Sequence, residues 1–399
     1  MYRTTPFHPR VHAANETGLW SHWAGYLVAE KYQMAEKFEY FAIRNAVGAF
    51  DSSPLYKYRI TGADAERFLS GVLARNIRKC QPGQAQYTIW CDDNGYLVED
   101  GVVLRLASND FLLTSAEPNL AYFQNLIGYG RVAVEEVTED VATLAVQGPR
   151  SRRVLAQLAP EVEALKYFHH AESKIGDAGV TISRTGFTGD LGFEIWVDAA
   201  DALGVWDEVM AAGDGHNLLP FGQIALLMAR IEAGLLLLKA DFESSRFAWH
   251  DEHRSTPIEL GLGWMLRDIE TDDRPFIGRK ALRRELAEGT SRWKMVGLVV
   301  DWHAYDDMYN SAGLVPPKDH TPVTEEFMLY DLDYQRVGYA TSFMYSPMLQ
   351  RHIALARVLP ELAKPGSRVD LEVTVNHRYE RVGAEVSRLP LFNPERKTA

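Results

Sequence analysis

The chain has 399 residues, 46% of them hydrophobic and 24% charged, with 9 Trp, 18 Tyr and 17 Phe. That length calls for two or three cores, and that aromatic content argues against long disorder. The formal charge of −12 argues against a general nucleic-acid or anionic-membrane binder, because phosphate surfaces need clustered Lys and Arg. Only Cys80 and Cys91 are present, so no disulfide framework exists and a reducing cytoplasm is the expected home. No apolar run approaches the roughly 20 residues a membrane span needs, and the N-terminus lacks the apolar centre of a signal peptide.

In chain order, the first 50 residues are aromatic-rich. Residues 62–73 (GADAERFLSGVL) have helical spacing, with Ala63, Phe68, Leu69 and Leu73 on the inner face. Strand-like runs follow at 86–91, 96–106 and 110–115, with the turn signal Asn94-Gly95 between the first two. Residues 141–146 form another apolar strand, stopped by Gly148-Pro149. Residues 222–237 predict a helix, with Ile224, Met228, Ile231 and Leu235 at steps of three and four. RDIETDDR (267–274) reads as a loop or linker. After about residue 290 short strands dominate (295–300, 338–341, 369–375, 383–386), separated by Gly and Pro, as in a separate β barrel or sandwich. Mixed strands and helices make the chain α+β.

The most telling stretch is residues 184–197, RTGFTGDLGFEIWV. Gly186, Gly189 and Gly192 fall at steps of three, and Glu194 follows inside an apolar strand. Such glycine density marks a sharp turn or a close ligand approach. An acid so placed is poorly solvated unless paired. Asp100, in LVEDGVVLRL just after the Asn94-Gly95 turn, is a second acid in an apolar setting. Either acid alone reads as an ordinary solvent-facing strand residue. Together they fit a ligand with nitrogen donors, one carboxylate accepting a paired N–H edge and the other handling a proton. Other chemistries find little support. GxGxxG, GxxxxGK[ST] and GxSxG are absent. His250 and His253 stand three apart without HExxH or an evident third ligand, so no metal is expected.

From about residue 23 to residue 394, and most clearly in eight segments, the chain resembles the tetrahydrofolate-dependent T-protein (aminomethyltransferase) family of the glycine cleavage system and its demethylase relatives. They include WAGYLVAEKY (23–32), EYFAIRNAVGAFDSS (39–53), GQAQYTIWCDDNGYLVED (83–100), VQGP (146–149), RTGFTGDLGFE (184–194), RIEAG (230–234), DEHRSTPIELGLGW (251–264) and VGYATSFMYSPMLQRHIALARV (337–358). The resemblance implies a three-lobed cloverleaf with a C-terminal β-barrel and folate in a central channel. It divides the chain into residues 1–52 with 140–275 as the folate-binding domain, 53–139 as an α+β domain and 290–395 as the barrel. It implies Asp100 near the reacting nitrogens of tetrahydrofolate, Glu194 on the pterin edge, and Tyr87 and Arg230 as further folate-site residues.

Departures from the family pattern bear on substrate. Its ARD is Ala225-Leu226-Leu227 here, and its SHM is Ser53-Pro54-Leu55. Residues 243–250 (ESSRFAWH) are inserted before DEH. The insert is expected to set Arg246, Phe247, Trp249 and His250 beside the channel, where a long loop changes substrate choice. The expected activity is one-carbon transfer to tetrahydrofolate. The donor is a small methylated N-, O- or S-compound, or the aminomethyl group of a lipoyl carrier protein. The competing expectation is a non-catalytic folate-binding protein that aids iron–sulfur cluster assembly. That branch carries a KGCY-GQE signature, and the equivalent EAGLLLLKADFE has no cysteine.

Overall fold

In the computed structural model, which describes residues 2–317 and 321–399, three sheet systems carry the chain. The first is a six-stranded sheet in the order His170–Ile175, Ala178–Ser183, Gly192–Asp198, Val141–Gln147, Val47–Asp51, Leu218–Pro220. All its pairs are antiparallel except the last. The second is a five-stranded antiparallel sheet in the order Ala85–Cys91, Leu97–Ala107, Asp110–Ser115, Tyr56–Thr61, Ala133–Glu136. The third is a closed six-stranded barrel between Lys294–Val300 and Arg378–Ser387. This is the three-lobed α+β architecture with a C-terminal barrel.

Local chemistry explains the elements that matter for the site. Gly95 turns the Asn94-Gly95 hairpin at φ 83°, and the Asp92 carboxylate accepts the backbone N–H groups of Asn94 (2.9 Å) and Tyr96 (3.0 Å). That turn sets the register that places Asp100 opposite Ile89. In the barrel, Val369, Leu371, Val373 and Val375 alternate into the core at the period of two that a strand imposes. The sequence showed less of the barrel than exists. The strands Phe327–Tyr330 and Arg351–Val358 and the helix Trp302–Ser311 lay outside the runs it suggested.

One expectation is corrected. The helix expected over 222–237 ends at Glu232, because Gly234 takes a left-handed φ of 63°, a common helix stop. Leu235 to Leu238 therefore leave the helix and line a cavity. The charged stretch 267–274 is a loop, as expected, and it is firmly held. Arg274, only 1% exposed, donates to the carbonyls of Ser70 (3.1 Å), Leu73 (3.0 Å) and Ala74 (2.9 Å) and to Asp272 (2.7 Å). Its planar fork of donors satisfies carbonyls at the end of the helix Ala65–Val72 and clamps the stretch onto the second sheet system.

Candidate active site

All three sheet systems contribute to one cavity of about 1710 Å³. Glu194 and Gln147 come from the first sheet, Tyr87 and Asp100 from the second, and Met295 and Leu389 from the barrel side. Its volume exceeds the roughly 300–1,000 Å³ of an ordinary small-molecule pocket, so a ligand and a second reactant fit together.

Each glycine of the run has its own physical reason. A Cβ on Gly186 or Gly192 would lie 2.1 or 2.2 Å from the Gln147 side-chain oxygen, and one on Gly189 (φ 69°) would lie 2.2 Å from Ala233 Cβ. Gln147 cannot yield. It is 1% exposed, donates to the carbonyls of Phe193 (3.0 Å) and Thr185 (3.3 Å), and accepts from the Thr188 hydroxyl (2.9 Å). The turn is also held by Asp190, which accepts two bonds from Arg396 (2.7 and 2.8 Å). Gly192→Ala should therefore cost about 1–3 kcal/mol by overpacking. Urea unfolding would show it, and a change below about 0.5 kcal/mol, the size of an ordinary surface substitution, would contradict this packing account.

The turn delivers Glu194 to the cavity wall. Burial pushes its carboxyl up, while the Thr185 hydroxyl and Lys57 pull it down. The Thr185 hydroxyl bonds Oε2, the one side-chain hydrogen bond of Glu194 among the described residues. On the lining of the same cavity, the Tyr87 hydroxyl donates to Asp100 Oδ2 at 2.7 Å. Burial raises the Asp100 pKa to about 6, the Tyr87 bond lowers it, and Asp241 raises it. Burial, together with Asp100, holds the Tyr87 phenol well above its ordinary range, so it remains a donor. One acid near its titration point and one acid with acceptor capacity thus share a cavity.

Tyr87, Asp100 and Glu194 all line this one cavity, and Arg230 is not among its lining residues. Arg230 is 0% exposed. Its guanidinium pairs with Asp241 and donates to the Ser342 hydroxyl at 2.8 Å. Cavity-lining Leu226 and Leu227 sit one turn earlier, while Arg230 points to the barrel strand Arg336–Ser346. The inserted loop also departs from expectation, for Arg246, Phe247, Trp249 and His250 do not line the cavity. Ser244 and Ser245 are buried, and the Ser245 N–H bonds the Leu97 carbonyl at 2.9 Å. This ties the loop to the second lobe. Arg246 packs over the Tyr122 ring (4.9 Å) and bonds Asn119 at 3.3 Å. Phe247 and Trp249 are 59% and 91% exposed. His250 and His253 meet edge to face at 5.6 Å.

Glu99 was missed. It is 2% exposed, and burial lifts its pKa to about 8. It accepts from the N–H groups of Ala116 and Glu117 and from Asn119, so it braces a loop on the cavity rim. Its sequence signal was two adjacent acids in an apolar strand, since alternation sends them to opposite faces.

A central cavity lined from three α+β lobes, with two carboxylates on its lining, defines a candidate small-molecule site. The GCVT N-terminal domain family matches residues 9–268, and the glycine cleavage T-protein C-terminal barrel domain family matches residues 310–393. The chain belongs to the glycine cleavage T-protein family. It is 30% identical to an aminomethyltransferase of Geobacillus kaustophilus over 362 residues, 89% of this chain and 90% of that one. It is 29% identical over 380 residues to the heme-dependent oxidative N-demethylase gamma subunit of Ectopseudomonas mendocina, covering 94% and 92% of the two chains. The crystal structure of glycine cleavage system aminomethyltransferase T from Bartonella henselae superposes with a TM-score of 0.82 at 24% identity, over 98% of this chain and 99% of that one. This likeness shows a shared fold.

Proposed function

We propose that the chain binds tetrahydrofolate in the central cavity and moves a one-carbon unit onto it, as an aminomethyltransferase or a demethylase-like relative. The observation that carries this is the pair of carboxylates, Asp100 and Glu194, on one wall system of a cavity large enough for two reactants. The chemistry of the wall fits the pterin. Glu194 keeps acceptor capacity beyond its Thr185 bond, and an amino-pyrimidine edge offers paired N–H donors. When bound, tetrahydrofolate supplies a nitrogen that is already nucleophilic. The protein then has two tasks, holding the reactants in line and removing one proton. Asp100, held by the Tyr87 hydroxyl, is assigned the proton, and Glu194 the orientation of the ring.

The proposed division of labour follows the three sheet systems. Residues 1–52 with 140–275 carry Glu194, residues 53–139 carry Tyr87 and Asp100, and residues 290–395 close the cavity with the barrel. The donor is a small methylated compound or an aminomethyl group on a lipoyl carrier protein. Leu226 and Leu227, which replace a polar pair of the family pattern, face the cavity and give the donor an apolar wall. The residues of the insert stand one layer further out.

Ligand binding to the folded state alone stabilises it by mass action, about 2.7 kcal/mol at a hundredfold excess over Kd. Tetrahydrofolate is therefore expected to raise the melting temperature with its concentration. No shift at saturating ligand would remove the basis of the assignment.

A further inference from the structure

A half-buried guanidinium on the lining of the central cavity has no carboxylate partner among the described residues. Arg75 lines the cavity together with Tyr87 and Asp100. One N–H of its guanidinium donates to the Tyr87 backbone carbonyl at 2.9 Å, and the group lies over the Trp264 ring, 5.0 Å from its centre. Arginine carries five N–H donors in a planar fork, so most of them are left for a group that enters. The other cations on the lining differ. Arg3 and Lys239 pair with Glu139 and Glu117, Lys397 feels the Asp190 carboxylate, and Lys294 and Arg388 are exposed to solvent.

A charge taken partly out of water is costly unless something answers it. One backbone carbonyl and one indole face answer this one only in part. Its place in the cavity matters as much. Tyr87 is the residue whose hydroxyl holds Asp100, so the guanidinium and the acid assigned the proton sit at the two ends of one tyrosine. Arg75, Ala85 and Trp264 also line an adjoining pocket of about 360 Å³, which leaves room for a group bonded to the fork.

We propose that the one-carbon donor is an acid, a small methylated compound whose carboxylate is held by the Arg75 fork. The inference deepens the tetrahydrofolate reading and rests on it. A guanidinium meets a carboxylate with two parallel N–H···O bonds, which fixes orientation as well as charge. The length of one tyrosine between the fork and Asp100 suits a small molecule with its carboxylate at one end and its methyl group at the other. The methyl group leaves its N, O or S atom, which keeps the bonding electron pair, and joins the folate nitrogen, whose proton passes to Asp100. The glutamyl tail of tetrahydrofolate is the other source of a carboxylate. The Tyr87 anchor favours the donor, because Tyr87 belongs to the reacting end of the cavity and the tail is the part of the folate furthest from its pterin.

The test gives the full chain tetrahydrofolate and matched donors: N-methylglycine, a methoxybenzoate and a methylthiopropanoate, each beside its carboxamide, with an aminomethyl-loaded lipoyl carrier protein as a further arm. Formation of one-carbon tetrahydrofolate is read as kcat/KM, and tetrahydrofolate binding is measured separately. The native chain should use at least one acid about thirtyfold better than its amide, the size of a charge-assisted pair. Arg75→Met should abolish that preference and leave tetrahydrofolate affinity within about twofold. No acid used better than its amide, or use of the lipoyl carrier alone, would overturn the proposal. A parallel loss of tetrahydrofolate affinity in Arg75→Met would assign the fork to the glutamyl tail and equally overturn it. Should Arg75→Met fail to fold, Arg75→Gln takes its place, keeping an N–H donor for the Tyr87 carbonyl without the charge. Absence of tetrahydrofolate binding by the native chain would instead remove the tetrahydrofolate reading, and this inference with it.

Discussion

Asp100→Asn should lower turnover by about 100-fold or more, the usual contribution of a placed acid or base, with little change in tetrahydrofolate affinity. Asparagine keeps the shape and can still accept from the Tyr87 hydroxyl, but it cannot take a proton. With a pKa of about 6, Asp100 is ionised at neutral pH and its proton is held loosely enough to leave. Turnover should therefore fall as pH drops through about 6, and that limb should vanish in the variant. The stability sign runs the other way. The folded pKa lies above the ordinary 3.8, so the group favours folding at low pH, and that contribution is lost as pH rises to about 6. Asp100→Asn should thus be no less stable than the native chain at pH 7. Equal losses of turnover and affinity would mean that Asp100 only binds. An Asp100→Asn variant that turns over at the native rate would return the balance to a purely binding protein.

The largest stability effect belongs to Arg230. Arg230→Met should destabilise the chain by about 3–5 kcal/mol, the usual result of removing one partner of a buried ion pair. The Asp241 carboxylate left behind also accepts from Thr341, Ser342 and the Leu237 N–H, so it would remain buried with neutral donors and without its paired cation. The pair is also a joint between lobes. Thr341 and Ser342 belong to the barrel, and the Arg357 guanidinium reaches the Asp241 backbone carbonyl. Denaturant unfolding should report the loss, with tetrahydrofolate affinity of the folded fraction kept within about threefold, a difference of some 0.7 kcal/mol. A large loss of affinity at unchanged stability would restore Arg230 to direct ligand contact.

The contrast between Arg230 and Glu194 shows what a sequence reveals. Glu194 was legible because its setting is local. Three glycines and an apolar strand fix both the turn and the solvation of the acid, and the structure explains each glycine by the Gln147 amide or Ala233. Arg230 lies in an equally recognisable segment, yet its destination depends on where the helix Gln223–Glu232 meets the barrel, more than a hundred residues later. Lys57 was invisible for a related reason. In YKYRIT a lysine reads as the solvent face of a strand, and only the assembled sheets bury it, with its ammonium on the Ser53 and Leu55 carbonyls. The insert misled because chain adjacency to the helix suggested nearness to the cavity, whereas the Ser245 bond to Leu97 ties it to the second lobe and Arg246, Phe247, Trp249 and His250 stay off the cavity lining. Short apolar runs announced the barrel, but the strand Arg351–Val358 merged with its neighbour in a long stretch without a strong turn signal.

The central claim is that Glu194 and its cavity read the pterin of tetrahydrofolate. Equilibrium binding of tetrahydrofolate to the native chain and to Glu194→Gln tests it most directly. The account predicts saturable binding at one site per chain. It also predicts a loss of about tenfold or more in the variant, since a charge-assisted hydrogen bond contributes about 1.5–3 kcal/mol. No saturable binding by the native chain, or the same affinity in both proteins, would contradict it.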